Sequence, residues 1–362
     1  MAYLNLNNLS KSFKDDKIIS NLNAQIDKGE FFVVFGPSGC GKTVLLRLLS
    51  GIMMADSGEI KMDNQIINQL HPEERDVSMA FQNFALYPHM KAYENIASPL
   101  RAKNKNTPEK EIEEKVNEVA NLLKIGHVLN QFPKELSNGQ KQRTSLARSL
   151  VNKPSVVLLD DPLRNVDAKI RFEMRLELPR VLKEFNTTVI YITQDFREAM
   201  ALGDRIAVLY DGKFNDIDSP KNIYQNPSSL TTAKLFGDPT INNFNATIKK
   251  QNDFVEINVN GENFKIKRNT NIQDGDCIVG IRPEDITLSN ISSNNSIEVE
   301  FRTKTPLNLR IVFLVKLKNG LELLCSTTEE ESQLIDEKSR MYISFKDEKS
   351  HFFDKETKRN LE

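Results

Sequence analysis

Cysteine is scarce in this chain of 362 residues, and the three present, Cys40, Cys277 and Cys325, are too scattered for a disulfide framework or a metal cluster. A reducing cytoplasm is the expected setting. An excess of charge is also missing: 49 Lys and Arg against 50 Asp and Glu leave a net charge of −1. With no basic stripe, nucleic acid is not an expected partner. Long apolar runs are absent too, since Phe31–Phe35 and Val156–Leu159 fall far short of the roughly 18 residues that a spanning helix needs. The first residues, to Phe13, lack the basic region and apolar core of a secretory signal, so export is not expected. No helix-rich repeat or long low-complexity tract occurs, and a content of 39% hydrophobic and 27% charged residues excludes collagen-like, coiled-coil and disordered classes.

What the sequence does contain is a change of texture near residue 236. Before it, short apolar runs alternate with helical stretches, which predicts an α/β domain over residues 1–236 with a mostly parallel sheet. Phe31–Phe35, Val77–Phe81, Ser155–Leu159, Thr188–Ile192 and Arg205–Leu209 read as strands. Most are apolar throughout, as strands covered on both faces must be. A helical subdomain is expected at about 83–150, where Ile112, Val116, Val119 and Leu123 recur at helical spacing; Thr107 can cap that helix, with Pro108 at its first position. Over residues 241–362 the pattern is alternation, as in Val255–Val259, Phe264–Lys267, Ile297–Phe301, Val315–Lys318 and Met341–Phe345. That predicts a small all-β barrel or sandwich.

Chemistry is concentrated in Gly36-Pro37-Ser38-Gly39-Cys40-Gly41-Lys42-Thr43, which fits the G-x-x-x-x-G-K-[ST] phosphate loop and lies between a strand and the apolar helix Val44–Leu49. Backbone N–H groups and the helix N-terminus can face phosphates, Lys42 adds positive charge, and the Thr43 hydroxyl can ligate Mg²⁺. The alternative is a glycine-rich turn with a solvated lysine. Asp160 closes the apolar run Val156–Leu159, where a carboxylate can hold the metal.

Further motifs stand in order around these two. Leu136-Ser137-Asn138-Gly139-Gln140 resembles the signature of the ATP-binding cassette family, and Gln82, the Pro162–Asp167 turn and the Thr193-Gln194-Asp195 turn match other family motifs. Ala85–Met90, Gly280–Glu284 and His351–Asp354 narrow the resemblance to ATPase subunits of carbohydrate importers, the maltose and glycerol-3-phosphate group. The resemblance implies a P-loop cassette core, then an OB-like tail with oligomerisation and regulatory roles. It implies bound ATP and Mg²⁺, with Thr43, Gln82 and Asp160 at the metal and Asp161, Gln194 and Gln82 as catalytic groups. A second cassette chain would face the first head to tail, receiving donors from Ser137, Gly139 and Gln140 across the interface. Phe13 falls where the family stacks an aromatic ring on adenine, a core position being the alternative. Tyr87–Met90 lie where the family contacts transmembrane permease subunits, served in turn by an external solute-binding protein. The cytoplasmic membrane face, a sugar or polyol as solute, and homodimer or heterodimer as assembly are the corresponding expectations.

Four positions depart from the family pattern. Asp161 stands where Glu is usual, Gln194 where the switch residue is His, and Arg164 where the turn usually has Ser. Asn138 replaces a frequent Gly, a mild change if the backbone there is left-handed. Binding is thus expected to survive while hydrolysis is impaired, so this chain reads as the weakened half of an ATPase pair. The alternatives are a nucleotide-binding structural or regulatory subunit with negligible hydrolysis, and a soluble cassette acting on nucleic acid.

Overall fold

Buried on both faces, the continuous apolar runs form neighbouring strands of a parallel sheet, as their composition requires. The computed structural model describes residues 3–102, 107–268, 272–293 and 295–362, and the counts below are of these. The chain divides into two units, Met1–Lys221 and Asn222–Glu362.

The first unit runs β1 (Leu4–Phe13), β2 (Asp16–Ile26), β3 (Phe31–Phe35), α1 (Lys42–Leu49), β4 (Ser57–Met62), β5 (Gln65–Ile66), β6 (Val77–Ala80), α2 (Ala92–Ala97), α3 (Glu109–Leu122) and α4 (Asn138–Leu150). It continues through β7 (Val156–Asp160), α5 (Ala168–Glu184), β8 (Thr188–Thr193), α6 (Phe196–Leu202), β9 (Arg205–Tyr210) and β10 (Lys213–Asp218). The main sheet has the order β10-β9-β3-β8-β7-β6, parallel except for β10. A second, antiparallel sheet, β2-β1-β4-β5, is not evident from sequence. Its reason is local: Leu4 and Leu6 alternate, but Asn8 takes φ 50° and the register shifts before Leu9, which breaks the period of two. Helix α1 contributes Leu45, Leu46, Leu48 and Leu49 to a core that also holds Leu4 and Leu6 of one sheet and Phe32, Val34, Leu158 and Ile190 of the other. The residues at its N-terminus are therefore held by apolar packing from both sheets.

The helical insertion buries Ile112, Val116 and Val119 of α3 as predicted, but the helix starts later than expected. Pro108 is the N-cap, its carbonyl accepting from Ile112 N, and Thr107 makes no cap. Asn138 is the first residue of α4 and is not among the residues with positive φ, so no left-handed tolerance is called for there. Among the described residues no helix is long and apolar enough to cross a membrane.

The second unit contains the short helix α7 (Pro220–Gln225) from Asn222 onward, α8 (Leu230–Leu235), then β11 (Asn242–Gln251), β12 (Phe254–Val259), β13 (Glu262–Lys267), β14 (Gly275–Ile281), β15 (Ile286–Ser289) and β16 (Ile297–Leu307). Strands β17 (Arg310–Leu317) and β18 (Glu322–Thr328), helix α9 (Glu329–Gln333), β19 (Met341–Phe345) and β20 (Ser350–Phe353) complete it. Two five-stranded antiparallel sheets, β13-β12-β11-β14-β20 and β15-β19-β16-β17-β18, share one apolar core. Alternating burial along β11 and β19 matches the alternating sequence. The motifs at 280–284 and 351–354 meet directly, with Gly280 opposite His351 in the β14–β20 ladder. A Cβ at Gly280 would lie 2.8 Å from the Phe353 ring, which excludes larger residues there. Residues 222–236 group with this unit, whereas the sequence reading put them with the first. Arg282 donates to the carbonyls of Tyr224 and Phe236, and Leu230 and Ala233 pack with Ile241, Ile278 and Phe353.

Candidate functional site

At the carboxyl end of β3 the chain turns sharply, and Gly36 sits so close to β9 that an added Cβ would lie 2.2 Å from the Leu209 carbonyl oxygen. Gly41, with φ 105°, caps the N-terminus of α1 in a left-handed conformation that only glycine adopts readily. Lys42 folds back along this loop, its Nζ donating to the carbonyls of Gly36 and Pro37, each at 2.7 Å. Cys40 is buried, its Sγ lies 3.7 Å from Lys42 Nζ, and desolvation raises its thiol pKa despite that cation.

A cavity of about 330 Å³ opens at this point, lined by Phe13, Ser38, Gly39, Gly41, Lys42, Thr43, Gln82, Asp160, Asp161, Arg164 and Gln194 among others. These residues come from five separate stretches of sequence. Gly36, Pro37 and Cys40 do not line it; they shape the loop from behind, and Pro37 and Cys40 face a separate open depression with Asp16 and Tyr210. Thr43 Oγ1 donates to Asp160 Oδ1 at 3.3 Å, so hydroxyl and carboxylate converge at one point of the cavity wall. Phe13 is 44% exposed at the mouth, which excludes the core alternative for it. Its ring carries Lys11 Nζ at 5.7 Å and stays available for stacking.

The two carboxylates at the end of β7 are both buried, and desolvation raises both pKa values. For Asp160 the Thr43 hydroxyl and the cations Arg47 and Lys42 oppose the rise; for Asp161 the leading opposition comes from Arg164. Arg164 Nη1 lies 3.9 Å from Asp161 Oδ2. Asp161 has φ 44°, and its N–H donates to the Ile192 carbonyl, so its backbone is pinned in a conformation that Asp tolerates better than most residues. Gln194 accepts from the Ser38 hydroxyl through Oε1 at 2.9 Å, leaving its amide N–H₂ free to donate.

Ser137, Gly139 and Gln140 do not line this cavity. They form the N-terminus of α4, where Ser137 Oγ accepts from Gln140 N at 3.3 Å and Gln140 Oε1 accepts from Ser137 N at 2.9 Å. This reciprocal cap leaves the Ser137 hydroxyl proton and the first helical N–H groups available to an anion. The chain therefore contains both a glycine-rich loop at the N-terminus of α1 and a separate, side-chain-capped N-terminus at α4.

The sequence profile of the ABC transporter family matches residues 19–164. The sn-glycerol-3-phosphate import ATP-binding protein UgpC of Psychromonas ingrahamii is 40% identical over 301 residues, covering 83% of this chain and 79% of that protein. The chain belongs to the ABC transporter family. Over nearly its full length it is also similar to the Fe(3+) ions import ATP-binding protein FbpC of Fusobacterium nucleatum, at 34% identity and 99% and 95% coverage. Among solved structures, the dimeric post-hydrolysis state of the ATP-binding cassette MJ0796 with ADP and Pi aligns with TM-score 0.55 at 30% identity, covering 60% of this chain and 98% of that one.

Sequence reasoning missed two residues of this cassette. Arg75, fully buried, ties down the far end of α1 by donating to the carbonyls of Leu48 and Leu49. Asn95, also fully buried, clamps the segment 87–91: its Oδ1 accepts from Tyr87 N at 2.7 Å, and its amide donates to the carbonyls of Tyr87, Met90 and Lys91 at 3.0–3.1 Å. An isolated Asn in a short helix carries no periodic signal, so only the fold reveals it. Asn95→Ala takes the partner from Tyr87 N and Met90 O, while Tyr87 O and Lys91 O keep backbone donors, and is expected to lower stability by about 1–3 kcal/mol, read as a shift of the urea midpoint at constant slope.

Proposed function

We propose that this chain is the ATP-binding subunit of an importer, bound peripherally at the cytoplasmic face of the cell membrane to two transmembrane permease subunits. An external solute-binding protein would deliver the solute to those subunits. The observation that carries the reading is the joining of the Gly36–Thr43 cradle to the Thr43–Asp160 pair in one cavity. Successive N–H groups and the α1 N-terminus suit the β- and γ-phosphates, with Lys42 leaving its two carbonyls to meet them. Gln82, Thr43 and Asp160 fit Mg²⁺. Among the described residues no group of three or more His, Cys, Asp or Glu could hold a metal alone, so the ion would share its shell with phosphate oxygens and water, as Mg²⁺ prefers. When bound, the ion neutralises charge on the phosphates.

Asp161 would orient the attacking water and Gln194 would donate to the γ-phosphate. Ser137, Gly139 and Gln140 would complete the site of a second cassette, which supports ATP as the link between two chains. A homodimer would contain two sites weakened at 161 and 194; we propose instead that the partner is a catalytically complete cassette and that this chain's own site turns over slowly. Arg164 beside Asp161 favours that reading, since it partly satisfies the carboxylate that must attract water. The alternative, a regulatory subunit with no hydrolysis, shares every binding residue. The all-β part of the second unit, from residue 241 on, is proposed as an OB-like regulatory domain of the subunit. The relatives carry the names of glycerol-3-phosphate and iron importers. We propose a sugar, polyol or related solute, which the cassette itself does not touch.

Calorimetry of the full chain with Mg-ATP tests the binding step. Gly36→Ala is expected to abolish measurable affinity, because its Cβ collides with rigid backbone and displaces the cradle. Equal affinity in wild type and variant would refute the assigned cradle. Turnover of the chain alone and mixed with a complete cassette tests the pairing, and fast hydrolysis by the chain alone would defeat it.

A further inference from the structure

Arg164 is the cation in the site that nothing in the phosphate-loop mechanism uses. Its side chain is 48% exposed and lines the same cavity as Lys42, Asp160, Asp161 and Gln194. The backbone holds its position: Arg164 N donates to the Asp161 carbonyl at 3.2 Å, and Arg171 Nη2 donates to the Arg164 carbonyl at 3.4 Å. The guanidinium is less firmly held. Its contact with Asp161 is 3.9 Å, beyond a direct hydrogen bond, whereas close charge-assisted pairs lie at about 2.7–2.9 Å. Four charged side chains line the cavity, Lys42 and Arg164 against Asp160 and Asp161. Gln194 supplies a neutral donor only.

We propose that Arg164 is a specificity-determining residue that reads the terminal phosphate of the nucleotide, so that the site prefers ATP to ADP. This rests on the assignment of the cavity as the nucleotide site. A γ-phosphate entering beside Asp161 and Gln194 presents several charged oxygens to the guanidinium, a closer and more highly charged partner than the single carboxylate at 3.9 Å. ADP offers no group there, and its β-phosphate belongs to the loop and Lys42. The arginine thereby restores, from within the same chain, the positive charge that Gln194 cannot carry.

The test compares the affinities of the full chain for Mg-AMPPNP and Mg-ADP by calorimetry, in wild type, Arg164→Ser and Arg164→Lys. A hydrogen bond to a charged group predicts that Arg164→Ser weakens AMPPNP binding by about tenfold or more. ADP binding should stay within about twofold. Arg164→Lys keeps the charge and should recover part of the preference, and raised salt should narrow the wild-type preference towards that of Arg164→Ser. An AMPPNP-to-ADP ratio unmoved by Arg164→Ser, in a chain that binds both nucleotides, overturns the proposal alone. A wild-type chain that binds neither nucleotide overturns it together with the assignment of the cavity.

Discussion

The double variant Asp161→Glu, Gln194→His is expected to turn over ATP about a hundredfold or more faster than the wild-type chain. The present carboxylate is one methylene shorter than a glutamate, and its backbone cannot advance to compensate, because Asp161 N is bonded to the Ile192 carbonyl. A misplacement of about 1 Å at a group that orients water costs about a hundredfold in rate. At position 194 an imidazole adds what the amide lacks, a charge and a transferable proton. The Ser38 hydroxyl that now donates to Gln194 Oε1 is left to serve the histidine instead. The two gains belong to one site and will not multiply cleanly, which is why the single variants must be measured beside the double. A cost accompanies the gain: φ 44° at residue 161 suits Asp, and Glu there should lose about 1 kcal/mol of stability. Phosphate release by the full chain at saturating Mg-ATP is the measurement. If turnover of the double variant stays within about threefold of wild type while nucleotide affinity is intact, residues 161 and 194 are not what limits this site.

Arg75→Ala is expected to destabilise the first unit by about 3–5 kcal/mol, the largest stability effect anticipated for any single substitution in it. Arg75 is 1% exposed and has no carboxylate partner in its hydrogen-bond set. Its guanidinium donates instead to four carbonyls, those of Leu70 at 3.0 Å, Leu48 at 2.8 Å, Leu49 at 3.1 Å and Asn68 at 2.8 Å. Leu48 and Leu49 are the last residues of α1, so the cation serves the carbonyls at the negative end of the helix whose other end follows the glycine-rich loop. Burial lowers its pKa, a measure of what desolvation costs and of how much the four bonds must offset. Gly51 belongs to the same arrangement, since a Cβ there would lie 2.6 Å from Arg75 Nε. Truncation leaves a cavity and removes the side-chain donor from the carbonyls of Leu49, Asn68 and Leu70, while Leu48 O still accepts from Gly51 N. Arg75→Lys, with one compact ammonium, can reach only some of them and should recover a minority of the loss. The urea midpoint with unchanged slope is the readout; a loss below about 1 kcal/mol for Arg75→Ala would show that water takes over the carbonyls at little cost.

Much of the site was legible in the sequence because its signals are local. The phosphate loop needs glycines at set positions beside a lysine and a threonine, and eight consecutive residues contain all of that. Asp160 announces itself by ending an apolar run, and Ser137 and Gln140 stand within the five-residue segment Leu136–Gln140 that carries the family resemblance. The main sheet was equally plain, since strands buried on both faces must be apolar throughout. By contrast β1 and β2 were not, because a bulge interrupts their alternation. The N-cap at Pro108 rather than Thr107 was a choice between two adjacent residues that either chemistry permits.

The sequence by itself determined that this chain carries a phosphate-binding cassette followed by an all-β tail, and which residue types depart from the family at positions 161, 164 and 194. Tertiary structure alone decided what those departures face. It brought Phe13, Gln82, Arg164 and Gln194 to one cavity, set Arg164 3.9 Å from Asp161, and aimed Arg75 at the end of α1. The physical reason is that backbone conformation follows from short-range sterics and hydrogen bonding, which neighbouring residues specify. The pairing of charges and donors far apart in the chain depends on how sheets and helices pack, and no local pattern encodes those distances.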